Sequence, residues 1–165
     1  MALIVLAAAA WLAAYLEPAP DPVTGLARVS DGDSFRLGEQ KIRLLGMDAP
    51  ELRQTCLDRN GESWQCGEAA RNRMSQLLAQ GTVHCEPRGT DRYGRILAHC
   101  TIAERDLGAV MVGEGLAIAS GEYGREEAAA RKAKLGVWQG GFDTPQNWRQ
   151  DHTGIVSAWD WLSFF

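Results

Sequence analysis

Apolar and polar positions alternate through the first part of the chain and predict a series of short strands. Over residues 25–47 the apolar runs are brief, and glycines mark turns between them. In KIRLL, Ile42 and Leu44 alternate with charged residues, so the side chain of Arg43 is expected to point away from the core. Two further strand-like runs flank the turn-rich GTDRYGR within residues 82–102 and predict an antiparallel hairpin.

Apolar residues at helical spacing predict three helices between and after these strands. The first spans residues 67–81, and the second spans residues 106–115, with Asp106 placed as its N-cap. A short apolar strand at 116–120 precedes the third helix, which spans residues 125–136 and ends at a glycine. Strands first, with helices between and after them, predict an α+β domain built on a small barrel or curled sheet.

The two ends of the chain differ in composition from the domain expected at 23–140. Residues 1–16 are mostly apolar and contain no Lys or Arg, and residues 17–22 form a Pro-rich spacer. The apolar run is shorter than the roughly 20 residues of a bilayer-spanning helix, so it predicts a signal peptide or a short membrane anchor, with a buried core helix as the alternative. Residues 141–165 form an extension with an aromatic tail, expected either to pack on the domain or to lie at a membrane interface.

Length and charge limit what the protein can be. A chain of 165 residues is enough for one domain with a proper core and short for two. With 17 Lys and Arg against 21 Asp and Glu, the net charge is -4, so no global basic field attracts a polyanion. Any contact with nucleic acid must therefore be local.

The four cysteines form an even set, which allows three pairings. Cys85 and Cys100 lie almost symmetrically about the predicted hairpin turn and are expected to pair; Cys56 and Cys66 would then close the loop between them. A zinc site is the alternative, but the chain has no CxxC pair and its histidines are not at ligand spacing. Two disulfides favour an oxidising compartment, and hence export to the periplasm or the extracellular space, free or anchored to the inner membrane.

Residues 31–51 interleave several acids and bases within predicted strands and turns. Asp33 lies at a Gly-containing turn, and Asp48 comes two residues before a proline, which favours an extended conformation for Ala49 between them. Two carboxylates and a backbone carbonyl are hard oxygen ligands, the kind that Ca²⁺ or Mg²⁺ prefers. Glu51 follows, where it could orient or deprotonate a metal-bound water.

Two arginines are placed to extend this metal site into a phosphate site. Arg43 lies on the neighbouring predicted strand and Arg95 in the TDRYGR turn, and a planar guanidinium suits bidentate binding of phosphate. A metal, a candidate base and two fixed cations are what phosphodiester cleavage requires, because charge develops on the transition state. A DGD turn or a strand arginine alone more often has a structural role, so only the ordered set favours catalysis.

Three motifs in this order, DGDS, IRLLGMDAPE and TDRYGR, resemble the staphylococcal nuclease (thermonuclease) family. The resemblance extends from Val23 to Trp138, and the closing KAKLGVW is similar to that family's last helix. It implies an OB-fold, a five-stranded β-barrel with three helices.

The resemblance also implies a calcium site and its catalytic neighbour. Asp33 in the DGD turn and Asp48 in the DAPE segment correspond to carboxylate ligands of Ca²⁺, and the backbone carbonyl of Ala49 corresponds to the third protein ligand. Glu51 corresponds to the family's proposed general base or water-positioning residue.

Further positions correspond to the family's substrate contacts. Arg43 and Arg95 correspond to its phosphate-clamping arginines. Arg92 and Tyr93 resemble the pair that contacts a bound nucleotide's phosphate, and Tyr123, in a segment that aligns poorly, is a candidate for stacking on the nucleotide. Because all the catalytic-type positions are retained, the sequence favours an active enzyme over a binding-only member.

The chain is thus predicted to be an exported, Ca²⁺-dependent endonuclease that hydrolyses DNA and RNA with low sequence specificity. We expect a monomer that prefers single-stranded nucleic acid, with membrane association through the N-terminal segment or the C-terminal aromatic tail. The alternative is a non-catalytic, envelope-tethered OB-type module that binds nucleic acid or another anionic polymer. The acidic net charge and the apolar ends favour tethering, and turnover distinguishes the two functions.

Overall fold

The structure, a computed structural model, describes residues 21–153. The predicted signal or anchor segment at 1–16 and the aromatic end of the extension, residues 155–165, lie outside the described residues. Within residues 21–153, no helix has the length and the apolar character needed to cross a membrane.

A nearly closed barrel forms the body of the molecule. The strands are β1 (Val23–Gly25), β2 (Ala27–Val29), β3 (Ser34–Leu37), β4 (Gln40–Leu44), β5 (Met47–Asp48), β6 (Cys56–Leu57), β7 (Ser63–Trp64), β8 (Val83–Thr90), β9 (Ile96–Ile102), β10 (Arg105–Asp106) and β11 (Ile118–Ala119). The barrel strands follow the order β1-β8-β9-β4-β3-β2, with β4 and β9 parallel and the other neighbours antiparallel. Strands β1 and β2 belong to one segment interrupted at Leu26, and this segment pairs with β8 on one side and with β3 on the other. The predicted five-stranded OB-type barrel is therefore confirmed.

The barrel encloses the side chains that alternation predicted to face inward. Phe35, Ile42 and Leu44 are fully or almost fully buried, and they join a single core with Met74 and Leu77 from the first helix. The intervening Arg43 is left on the outer side of its strand. This alternation positions the functional side chains, because every inward apolar residue leaves a charged neighbour facing the opposite way.

Helices pack on the barrel at the three predicted positions, and a fourth follows them. Asp106 caps the second helix as predicted, since its carboxylate accepts a hydrogen bond from the Ala109 N–H at 2.9 Å. The fourth helix among the described residues lies in the extension, beyond the predicted domain at 23–140; it starts from Thr144, whose hydroxyl accepts from the Asn147 N–H at 3.2 Å, followed by Pro145 in the first turn. The helices are α1 (Cys66–Leu78), α2 (Leu107–Gly113), α3 (Gly124–Ala133) and α4 (Pro145–Thr153), with a 3₁₀ turn at Gly136–Gln139.

Two disulfides form with the predicted pairing. Cys85 and Cys100 lie opposite each other on β8 and β9, and Cys56 and Cys66 close the loop that carries the small β6–β7 hairpin. All four cysteines are bonded, so the zinc alternative is wrong. The Cys56–Cys66 bond packs with the buried Val137 in a second small core, which fastens the chain after α3 to the loop after Glu51.

Candidate active site

Asp33 and Asp48 lie close together beside the barrel because Gly32, which has no side chain, lets their two segments approach closely. A Cβ atom on Gly32 would lie 2.8 Å from the Cβ of Ala49 and 2.9 Å from that of Ala70. Only glycine permits this contact, which places the turn bearing Asp33 against the segment bearing Asp48. The two aspartates are 5% and 8% exposed, respectively.

Arg43 bridges the two buried aspartates. Its Nη1 forms an ion pair with Asp33 Oδ2 at 2.7 Å, and its Nη2 donates to Asp48 Oδ1 at 2.8 Å. The pairing of β3 with β4 sets this geometry, since Ser34 lies opposite Arg43 and the Leu44 N–H donates to the Asp33 carbonyl at 2.9 Å. The predicted acids and the strand arginine therefore form one cluster.

Burial raises the pKa values of two acids in and beside this cluster. Loss of hydration raises the pKa of Asp33 to about 6, although Arg43 opposes the shift; the nearby Asp48 raises it further. Desolvation likewise raises the pKa of Asp31 in the same turn, against the hydrogen bond from the Gly32 N–H. An additional cation at this position would stabilise the carboxylates.

The donor set fits a hard divalent cation. Asp33 and Asp48 supply carboxylate oxygens, and the buried Ala49 directly follows Asp48 in the chain. Within the described residues, no group of three or more His, Cys, Asp and Glu side chains is arranged to hold a metal ion. An ion bound here would thus depend on two carboxylates together with neutral oxygen ligands.

Glu51 lies beside the cluster and is positioned by a buried glutamine. The Glu51 N–H donates to Gln54 Oε1 at 3.1 Å, and Gln54 Nε2 donates to the Asp143 carbonyl at 2.7 Å. Gln54 has no exposed surface, so this link fixes the Glu51 backbone relative to the chain that leads into α4. Sequence reasoning missed Gln54, because its two partners lie 3 and 89 residues away and only the fold brings them together.

Arg149 of α4 also enters the site, and sequence reasoning missed it. Its guanidinium donates to both carboxylate oxygens of Asp48, at 3.1 and 2.8 Å, and to Glu51 Oε1 at 2.7 Å. These contacts raise the pKa of Arg149 above its usual value, chiefly through the hydrogen bonds that it donates to Asp48. The Thr-Pro helix start at 144–145 could have indicated α4, but nothing local in the sequence indicates where the helix docks.

In the TDRYGR turn, the carboxylate of Asp91 holds the backbone of the segment that carries Arg92 and Arg95. Asp91 accepts from the Tyr93 N–H at 2.8 Å, from the Arg95 N–H at 3.0 Å and from Arg95 Nε at 2.7 Å. Although partial desolvation opposes the shift, these hydrogen bonds lower the pKa of Asp91. Arg92 donates to the Tyr93 hydroxyl at 2.7 Å, and its guanidinium lies 4.8 Å from that ring's centroid. Asp91 begins the turn as an Asx-type residue, a sequence signal that could have found it.

One cavity of about 770 Å³ brings most of the predicted site residues together. Five of its lining side chains are cationic and one is a carboxylate, that of Glu51, so the cavity is locally positive although the whole chain is acidic. The lining residues are Lys41, Arg43, Glu51, Arg92, Tyr93, Arg95, Gln146, Arg149 and Gln150. Such a cavity is suited to a ligand that carries phosphate.

Tyr123 is not brought to this cavity. It lies half-buried against Gly108, and its hydroxyl donates to Asp106 Oδ2 at 3.2 Å. It lines a separate cavity of about 400 Å³ together with two histidines, His84 and His99. Desolvation and the neighbouring Asp106 carboxylate raise the pKa of Tyr123. Its placement gives no support to the predicted stacking role.

Comparisons with known proteins agree with this geometry. The family model described as staphylococcal nuclease homologue matches residues 41–140. The chain is 31% identical over 128 residues to the succinoglycan biosynthesis protein ExoI of Rhizobium meliloti (strain 1021), covering 73% of this chain and 67% of that protein. It is 27% identical over 151 residues to an uncharacterized endonuclease of Haemophilus influenzae, covering 84% and 79%. It is 28% identical over 147 residues to the micrococcal nuclease of Shigella flexneri, covering 76% and 79%.

Proposed function

The chain belongs to the staphylococcal nuclease homologue family, and on that basis we propose that it is a Ca²⁺-dependent endonuclease acting on DNA and RNA. The observation that carries the proposal is the cluster of Asp33, Asp48 and Arg43 at the side of a cavity lined by five cations and Glu51. Names of relatives support the reaction class, since two of them are called nucleases.

Each residue has a distinct part in the proposed hydrolysis. Asp33 and Asp48 hold the ion, with the Ala49 carbonyl, and when bound the ion supplies positive charge that stabilises the phosphoryl oxygens. Glu51 orients the attacking water and takes its proton as the new phosphorus–oxygen bond forms and the ester bond to the leaving oxygen breaks. The leaving oxygen then takes a proton from solvent.

The arginines stabilise the charge that develops on phosphorus. Arg43 has five N–H donors, of which its two contacts with Asp33 and Asp48 use two. Arg95 is held at its Nε by Asp91, which leaves the guanidinium end directed by the turn toward the cavity it lines. Fixed donors of this kind stabilise a transition state without reorganising during the reaction.

The expected substrate range follows from what the cavity can recognise. Cationic side chains bind phosphate groups, which carry no sequence information, so sequence preference should be low. The exposed Tyr93 ring beside Arg92 offers a surface on which an unpaired base can stack, which favours single-stranded DNA and RNA. We propose that a single chain, acting as a monomer, carries the complete site.

We further propose that the protein is exported to the periplasm or beyond. The two disulfides support this location, because such bonds persist in oxidising compartments. The apolar segment at 1–16 would serve as the signal peptide or the membrane anchor.

The role of Glu51 is tested by Glu51→Gln. The amide keeps an oxygen that can accept from Arg149 but is too weak a base to take the proton from water. We expect kcat to fall by roughly 10²–10⁴-fold, with little change in KM or melting temperature. Glu39→Gln, at a fully exposed side chain, is the matched control. A kcat close to that of the wild type would reject the role given to Glu51.

A further inference from the structure

Arg149 lies beyond the segment that the family model matches, on a helix tied firmly to the site. The chain before α4 is held to the loop after Glu51 by two hydrogen bonds of 2.7 Å, from the Leu57 N–H to the Gly141 carbonyl and from Gln54 Nε2 to the Asp143 carbonyl. At Gly140 the backbones approach so closely that an added Cβ would lie 2.3 Å from the Leu57 carbonyl oxygen. The helix therefore has a defined position from which Arg149 reaches the cavity.

In this structure the Arg149 guanidinium is a counterion for two acids. It contacts Asp48 at both carboxylate oxygens and Glu51 at one, and 38% of its side-chain surface stays exposed. Asp48 is thus contacted by two arginines, because Arg43 also donates to its Oδ1.

Those contacts compete with the role proposed for Asp48. Arg149 donates to both Asp48 oxygens, so a divalent cation bound to Asp48 would compete with it for the same carboxylate. The guanidinium has five N–H donors, so it can turn part of them to another acceptor while it keeps its contact with Glu51. Of the groups that enter a nuclease site, a substrate phosphate is the natural acceptor for a planar guanidinium.

The charge of the cavity points the same way. Lys41, Arg43, Arg92, Arg95 and Arg149 line it together with one carboxylate, an excess of positive charge suited to more than one phosphate. We propose, on the basis of the proposed nuclease function, that Arg149 is a further phosphate-binding arginine of this active site, supplied by the C-terminal helix. It exchanges part of its pairing with Asp48 for a phosphate of the bound nucleic acid.

A ligand that cannot be cleaved tests this binding role directly. Adenosine 3′,5′-bisphosphate carries two phosphates and no phosphodiester bond, and its affinity is measured by calorimetry in excess Ca²⁺. We expect Arg149→Gln to weaken its binding by about 10-fold or more and Arg149→Lys to weaken it less, because lysine keeps the charge but loses the planar fork. Arg125→Gln, at an exposed residue of α3 outside the cavity, should bind as the wild type does.

A second titration, with Ca²⁺ alone, separates phosphate binding from a structural role. The Arg149→Gln variant lacks the guanidinium that competes for Asp48, so it should bind Ca²⁺ as tightly as the wild type does, or more tightly. A disturbed site would instead weaken the binding of both Ca²⁺ and the bisphosphate. Bisphosphate affinity equal to that of the wild type, or loss of both affinities, would overturn the role of Arg149. Arg43→Lys keeps this result distinct from failure of the proposed function: if that variant also binds bisphosphate normally, the site itself is misassigned.

Discussion

At Asp33, the charged carboxylate that the proposed ion site needs lowers the stability of the fold. Its carboxyl is almost fully buried, and its pKa of about 6 means that folding disfavours the charged form near neutral pH despite the contact with Arg43. A group with this shift stabilises the protein below its unfolded pKa and loses that contribution as pH rises through the folded pKa. A bound cation would stabilise the charged form of this carboxyl and so offset the cost of burying it.

Replacing this acid should stabilise the metal-free protein. Asp33→Asn removes the ionisation, so in chelator at pH 7 we expect its free energy of unfolding to exceed that of the wild type by up to about 3 kcal/mol. The difference should shrink as pH falls from 6 to 4, because at pH 4 the wild-type carboxyl is protonated in the folded state and partly protonated in the unfolded state. Urea denaturation at pH 7 and pH 4 measures it, with the exposed Asp21→Asn as control. A variant less stable than the wild type at pH 7 would contradict this account of Asp33.

At the scale of single residues, the sequence predicts the site residues that lie within motifs and misses those that only tertiary contacts bring to the site. Arg43, Glu51 and the two aspartates were predicted, because they lie within one short stretch with a recognisable order. Arg149 was not, since it meets Asp48 and Glu51 across 101 and 98 residues of chain.

At the scale of elements, the site depends on how tightly α1 and two loops pack. The methyl groups of Ala49 and Ala70 leave no room for a side chain on Gly32, so the turn, the DAPE segment and the helix form one closely packed unit. The short pairing of β5 with β11, in which Asp48 lies opposite Ile118, holds the second aspartate from its other side.

Adding one methyl group at this junction should therefore damage both stability and ion binding. Gly32→Ala forces the Asp33 turn away from Ala49, and we expect a loss of roughly 1–3 kcal/mol in the free energy of unfolding and weaker Ca²⁺ binding. Gly124→Ala is the matched control, since a Cβ there meets no atom within 4 Å. Urea denaturation and calcium calorimetry on both variants measure these effects; equal behaviour of the two would show that the close approach is unimportant.

Elements with strong hydrophobic periodicity could be predicted from the sequence, and elements that depend on tertiary packing could not. The barrel strands and the first three helices follow from alternation and helical spacing. Helix α4 has mostly polar residues and little apolar periodicity. The strand predicted at 116–120 forms as β11, whereas the two-residue strand β5 exists only because the fold pairs it with β11.

At the scale of the whole molecule, an acidic chain places five of its 17 Lys and Arg side chains around one cavity. The net charge of -4 gives no long-range attraction for nucleic acid, so binding must rest on local contacts with Arg43, Arg92, Arg95 and their neighbours. One disulfide crosslinks the hairpin of β8 and β9, and the other closes the loop after Glu51. The chain thus combines a general scaffold with one compact, locally positive cavity.

The central claim is that the interleaved acids and bases of residues 31–51 form one metal-assisted phosphodiesterase site. Its most direct test is hydrolysis of heat-denatured DNA by the purified protein, first with Ca²⁺ and then with chelator, beside Arg43→Lys and the control Arg125→Lys. Lysine keeps a charge near Asp33 and Asp48 but cannot bridge them and a phosphate with one planar fork. We predict Ca²⁺-dependent cleavage that falls about 100-fold or more in Arg43→Lys and is unchanged in the control. Cleavage that persists in chelator would contradict the claim. A folded protein that shows no cleavage with any divalent ion tested would also contradict it, and would favour the envelope-tethered binding module.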